Sequence, residues 1–159
     1  LAVVHLFRRE LGLLSSPGLD PPVGEFADLT RAGVSFINRQ KGSGTRVLLD
    51  HRLEAKGVST ASINGYEREV LTHIEVGLSI LSGESNAGFA TVAVARLFGL
   101  HFVPIVLESF DMVITKDVFF RQEVQDFIET LQSPDFRARV APLGAYDFTD
   151  AGRILHSST

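Results

Sequence analysis

The chain has 159 residues, 45% of them hydrophobic and 21% charged, enough for one domain with a real core or a modest two-layer α/β body. Its formal net charge of -4 argues against a general nucleic-acid binder, so any anion site must be a local positive feature on a mildly acidic surface. Cysteine is absent, which excludes disulfides and thiolate metal sites and leaves the redox compartment unread.

The first residues, Leu1 to Phe7, are apolar but run at once into Arg8-Arg9-Glu10. A signal peptide carries its positive charges ahead of the apolar stretch, so this order is wrong for one. No uninterrupted apolar run approaches the ~20 residues of a membrane span, and no membrane insertion is expected. A start on Leu1 in mid-pattern is what a fragment would show, and a signal peptide could have been lost with the missing part. Leu11 to Leu14 reads as a strand. The Pro, Gly, Ser and Asp of Ser15 to Pro22 read as a loop.

Val34-Ser35-Phe36-Ile37 is the next strand, and it leads through Asn38-Arg39-Gln40-Lys41-Gly42-Ser43-Gly44-Thr45-Arg46 into a helical pattern, Val47 to Lys56. Ser43 is the candidate cap, and Gly57 the stop. A helix follows from about Glu69 to Ser82, with Val70, Leu71, Ile74, Leu78 and Leu81 on one face and Gly83 at its end. Ala87-Gly88-Phe89 reads as a short buried strand, and Thr91 to Phe98 as a helix ended by Gly99. Leu100 to Leu107 and Phe110 to Thr115 read as two strands. The spacing predicts a helix from about Val118 to Gln132, aligning Phe120, Val124, Phe127, Ile128 and Leu131. Its other face, Arg121, Gln122, Gln125, Asp126 and Glu129, reads as solvated. Ser133-Pro134 supplies a cap and a first-turn proline for a closing helix to about Val140. Alternating strands and helices imply an α/β fold with a mostly parallel sheet covered on both faces, which binds ligands where strand ends meet helix starts.

The Asn38-to-Arg46 segment is such a junction. A helix start leaves backbone N–H groups without intrahelical partners, and its dipole adds partial positive charge there. Arg39, Lys41 and Arg46 add whole charges, so the segment reads as a seat for a small oxyanion. Backbone amides and hydroxyls of Ser43, Gly44 and Thr45 are the candidate donors. The same letters, standing alone, also describe a capped helix start with turn glycines. Arg39 is the chosen charged contact because a guanidinium offers a planar fork to paired oxygens, with a surface salt bridge as the bland reading. Lys41 and Arg46 are expected to be solvated and to set the local potential. The spacing is not that of a P-loop, and Val47 stands where a dinucleotide motif needs its third glycine. The five histidines lack ligand spacing, so neither a metal nor a cofactor is expected. Glu67, Glu69 and Glu75 read as dipole-complementing acids at a helix start, and no catalytic constellation is legible; an enzyme is not expected.

These residues, in this order, resemble the type 2 periplasmic-binding-protein superfamily, and within it the molybdate/tungstate-binding-like domain. The matching pieces are Val34 to Arg46, Gly65-Tyr66-Glu67-Arg68-Glu69, Thr72-His73, Ser82-Gly83-Glu84-Ser85-Asn86-Ala87-Gly88 and Phe102-Val103-Pro104-Ile105. The resemblance implies two lobes joined by crossover strands, with the ligand held in the cleft between them. On this reading residues 1–20 form a crossover strand and linker, 21–107 the complete second lobe, and 108–159 the return crossover and C-terminal helices. The first lobe's own anion loop has no match here, and Phe110 stands before Asp111 where the family would have a tyrosine. The implied ligand set is Asn38, Arg39, Ser43, Gly44, Thr45, Tyr66, Thr72 and His73. For the last three the bland alternative stays open: Tyr66 as core, and His73 at the edge of an apolar helix face.

The implied function is binding of a small oxyanion such as molybdate or tungstate, as a solute-binding or ligand-sensing domain. The alternatives are the effector domain of a transcriptional regulator with an organic ligand, or a domain attached to a molybdenum-cofactor biosynthesis enzyme. Fusion to a DNA-binding or enzymatic domain would make the protein cytoplasmic; a removed signal peptide would make it periplasmic. A half-clamshell would leave apolar surface uncovered, so a homodimer through that surface is expected if the chain is the full product.

Overall fold

The computed structural model describes residues 1–144 and 146–157. In chain order the elements begin with β1 (Ala2–Ser15), β2 (Phe36–Arg39), α1 (Gly44–Ala55), β3 (Glu69–Val70) and α2 (His73–Leu81). They continue with β4 (Ala87–Thr91), α3 (Val92–Phe98), β5 (His101–Ile114), α4 (Lys116–Phe119), α5 (Gln122–Gln132), α6 (Pro134–Val140), β6 (Tyr146–Asp147) and β7 (Ile154–Ser157). The chain divides into two compact units, Leu11–Val106 and Leu1–Glu10 with Leu107–Thr159, so the boundaries fall inside β1 and β5.

In the unit Leu11–Val106 the strand order is β3-β2-β4-β1-β5. Strand β2 pairs parallel with β3 and with β4, whereas Leu11 to Ser15 of β1 pair antiparallel with β4. The α/β class holds, and the sheet is mixed: its parallel part is the run β3, β2, β4. Each of these three strands leads at its carboxyl end into a helix, α2, α1 and α3 respectively.

The two-residue period of a strand sorts the core into two layers. Leu11, Leu13, Phe36, Ala87 and Phe89 lie on one side with Leu49 and Leu53 of α1. Leu14, Ile37 and Ala90 lie with Val76, Ile80, Val94 and Ala95 of α2 and α3. Full burial of each large aliphatic or aromatic side chain contributes roughly 1.5–3 kcal/mol. Two glycines set the spacing of the second layer. A Cβ on Gly88 would stand 2.5 Å from Val76, and one on Gly77 would stand 2.4 Å from the Phe98 ring.

Those glycines correct the expected orientation of α2. The helix buries Val76, Gly77, Ser79 and Ile80, with Val76 and Ile80 on the sheet and Gly77 against α3. The predicted apolar face is outward: Leu71, Ile74, Leu78 and Leu81 are exposed. Val76 and Ile80 meet β4 at Gly88, and Gly77 lies against Val94 and Phe98 of α3. The predicted helix also starts too early, because Glu69–Val70 continue the parallel ladder as β3.

The second unit pairs Ala2, Val3 and Val4 of β1 with β7, and Arg8 and Arg9 with β6, both antiparallel. Neither short strand is legible in the sequence pattern. Ala2, Val4 and Ile128 form one small core, and Leu131, Phe148 and Ala151 another. The expected helix Val118 to Gln132 is two helices, interrupted where Arg121 adopts an extended conformation and caps α5. The apolar period runs through this break, so Phe120, which the period assigns to the core, is exposed. Conversely, β5 is one strand where the pattern predicts two. Glu108 and Ser109, which read as a gap, remain in the ladder because their side chains bond Arg9 and His5. Among the described residues no helix is long and apolar enough to cross a membrane.

Candidate functional site

The junction of β2 and α1 is built as the letters require. Gly42 takes a φ of +88°, a left-handed conformation that only glycine adopts without strain, and Ser43 follows in an extended one. Ser43 Oγ accepts the Arg46 amide at 3.2 Å, and the Ser43 carbonyl accepts Val47 N at 3.0 Å. The amides of Gly44 and Thr45 precede the first intrahelical bond. No acidic residue lies in this first turn. A Cβ built on Gly42 or Gly44 would meet nothing within 4 Å, so the turn is open at these two glycines, while Thr45 beside them is buried.

Asn38 is buried just before the turn. Its Nδ2 donates to the Tyr66 carbonyl at 3.2 Å and its Oδ1 accepts the Arg39 amide at 2.9 Å, so it ties β2 to the loop ahead of β3. Arg39 donates from Nε to Gln40 Oε1 at 3.2 Å and from Nη2 to the Leu71 carbonyl at 2.8 Å. Its guanidinium thus extends from the end of β2 toward the neighbouring β3–α2 turn. Lys41 pairs with Glu67 at 3.2 Å, with both side chains more than 70% exposed, and such pairs contribute little.

Arg46 is the main correction among the charged residues. The sequence places it in solvent, yet its side chain is only 3% exposed. Its Nε bonds both Asp50 oxygens, its Nη1 reaches Glu69 Oε1 at 3.1 Å, and its guanidinium lies 4.2 Å from the centre of the Tyr66 ring. Burial alone would lower its pKa, but the Tyr66 oxygen and the Asp50 carboxylate outweigh burial and raise it. Asp50 is absent from the sequence-derived site, although an Arg-Asp pair four residues apart on a helix is a recognisable signal. Tyr66 is half-buried against the core and donates its hydroxyl to Asp50 Oδ1 at 2.6 Å. Burial, then that bond, raise its pKa and keep it a donor.

Thr72 and His73 sit at the start of α2. Thr72 caps the helix: its Oγ1 accepts the Glu75 amide at 3.1 Å and donates to Glu75 Oε2 at 2.9 Å. The same carboxylate oxygen accepts the Leu71 and Thr72 amides. The hydroxyl and amide bonds of Thr72 hold the Glu75 pKa below its ordinary value. The two helix starts therefore differ. That of α2 carries the protein's own carboxylate, while that of α1 does not. Among the described residues no group of three or more His, Asp or Glu side chains is arranged to hold a metal ion.

The PBP superfamily domain model matches residues 1–132. The chain belongs to this superfamily. The uncharacterized protein YvgK of Bacillus subtilis (strain 168) is 31% identical over 153 residues, spanning 96% of this PBP-like chain and 49% of YvgK. The chain thus spans about half the length of that relative. A two-component system protein that mediates signal transduction superposes with a TM-score of 0.70 at 13% identity, covering 99% of this chain and 60% of that one. A putative phosphate ABC transporter substrate-binding protein with bound phosphate, from Clostridium perfringens, superposes at 0.66 with 14% identity, covering 91% and 71%. At such identities the likeness to these structures is one of fold. Membership of the PBP superfamily points to solute or ligand binding as the general activity.

Proposed function

We propose that this PBP-like domain binds a small oxyanion of the molybdate or tungstate class at the β2–α1 turn, as a binder and not as an enzyme. The observation that carries the reading is the acid-free, open first turn of α1 at the carboxyl end of a parallel strand. Amides there, the Ser43 and Thr45 hydroxyls, and the Arg39 guanidinium would supply donors to one side of the ligand. Molybdate is fully deprotonated near neutral pH, so its site requires donors only. Residues 38 to 46 contain no acid, which supports an unprotonated anion over hydrogen phosphate. The Clostridium perfringens neighbour with bound phosphate supports the general chemistry.

Each charge-assisted hydrogen bond contributes roughly 1.5–3 kcal/mol, against about 0.3–1 kcal/mol from the helix dipole, so Arg39 would dominate. Calorimetric titration with molybdate, tungstate, sulfate and phosphate tests this. Saturable 1:1 binding of a fully ionised tetrahedral anion is the expected result, and heats of dilution alone for all four would reject it. A sensing role within a longer protein is the second reading. It is supported by the signal-transduction protein that superposes over 99% of the chain, and by a relative about twice as long.

A further inference from the structure

We infer that Arg46 is the positioning residue of the anion turn: it fixes the backbone from which Arg39 departs and does not itself meet the ligand. This rests on the reading of the β2–α1 turn as the binding site. One guanidinium reaches four places. Its Nε bonds Asp50 on α1, its Nη1 bonds Glu69 on β3 and the Arg39 carbonyl at the end of β2 at 3.2 Å, and its flat face covers Tyr66 in the loop ahead of β3. The Arg39 peptide is thereby held from both sides, its N–H by Asn38 Oδ1 and its carbonyl by Arg46. The next amide, that of Gln40, donates to Val70 at 3.1 Å. The exit direction of the Arg39 side chain follows from these restraints.

The distribution of charge agrees. Arg46 is enclosed with two carboxylates, Asp50 and Glu69, so its positive charge is used inside the protein and not toward an incoming anion. The job also requires a guanidinium. An ammonium has no planar fork to bond a carbonyl and two carboxylates in fixed directions, and no flat face to lie on a ring.

The test compares wild type with Arg46→Lys by two measurements. Hydrogen exchange is followed at the bonded amides of Gln40, Arg46 and Val47, with β4 as internal reference. Arg46→Lys is expected to lower protection at these amides at least tenfold while leaving Ala87–Thr91 unchanged. Equal loss in β4, or none at the turn, overturns the inference. In parallel, anion affinity is measured in a cycle with Arg39→Lys. Arg46→Lys should weaken binding at least tenfold in wild type and less than threefold once Arg39 is already replaced. Independent, multiplying effects would mean that Arg46 does not act through Arg39, and would overturn it. If Arg46→Lys fails to fold, Glu69→Gln removes the charge of one partner of the same guanidinium and is judged by the same criteria. If wild type binds none of the four anions, the proposed function falls, while hydrogen exchange still decides whether Arg46 holds the turn.

Discussion

Arg39 and Ser43 make different residue-scale predictions, because one is proposed to bring charge to the ligand and the other holds the turn. Replacing Arg39 by Met removes a charge-assisted donor, and anion affinity should drop between about 10- and 100-fold by calorimetry, with thermal stability little changed. Replacing Ser43 by Ala removes the oxygen that accepts the Arg46 amide, which should destabilise the fold by about 1 kcal/mol in a urea titration. An unchanged affinity in the first variant would remove Arg39 from the ligand set. The candidacy of Arg39 is readable from letters alone; the true setting of Arg46 is not. Sequence presents Arg46 as a third positive charge beside Arg39 and Lys41. Only the fold brings Tyr66 and Glu69, the latter 23 residues further along the chain, against its guanidinium.

Elements show where local patterning suffices. Ser43, Thr72 and Ser133 each act as a helix cap with their side-chain oxygen, and the first and last are legible from type and position. Helix α2 shows where it fails. Leucine spacing marks an apolar face correctly, but the packed side is the opposite one, where Val76 and Ile80 meet Gly88 of β4 and Gly77 lets α3 approach. Gly77→Ala tests this account. Its Cβ would stand 2.4 Å from the Phe98 ring and 2.5 Å from Val94 Cγ1, so α3 must shift away. Helix propensity alone would favour alanine by up to about 1 kcal/mol, whereas overpacking costs about 1–3 kcal/mol. The expected outcome of a thermal or urea melt is net destabilisation. A stabilised variant would mean that the α2–α3 interface has slack.

Across the whole molecule, stability should decline in acid, and the sign follows from the carboxylates. Hydrogen bonds lower the pKa of Asp28 (from the Gly24 amide), Glu75 (from the Thr72 hydroxyl) and Asp147 (from the Thr149 hydroxyl). Burial pushes Asp111 the other way, but bonds from His5 and Ser109 prevail and lower it too. In the unfolded chain these groups return to ordinary values of 3.8 for aspartate and 4.5 for glutamate. The unfolded state therefore binds more protons in this range, and stability rises with pH there. It is fully present above the unfolded values and is lost as pH falls through the lowered folded ones. Urea midpoints measured from about pH 7 down to pH 3 should be level until near pH 5 and then drop. Glu75→Gln should flatten the drop, because the cap of α2 would no longer depend on an ionised group. An identical acid profile in that variant would show that Glu75 contributes nothing to the acid response, and would leave the aspartates as its source.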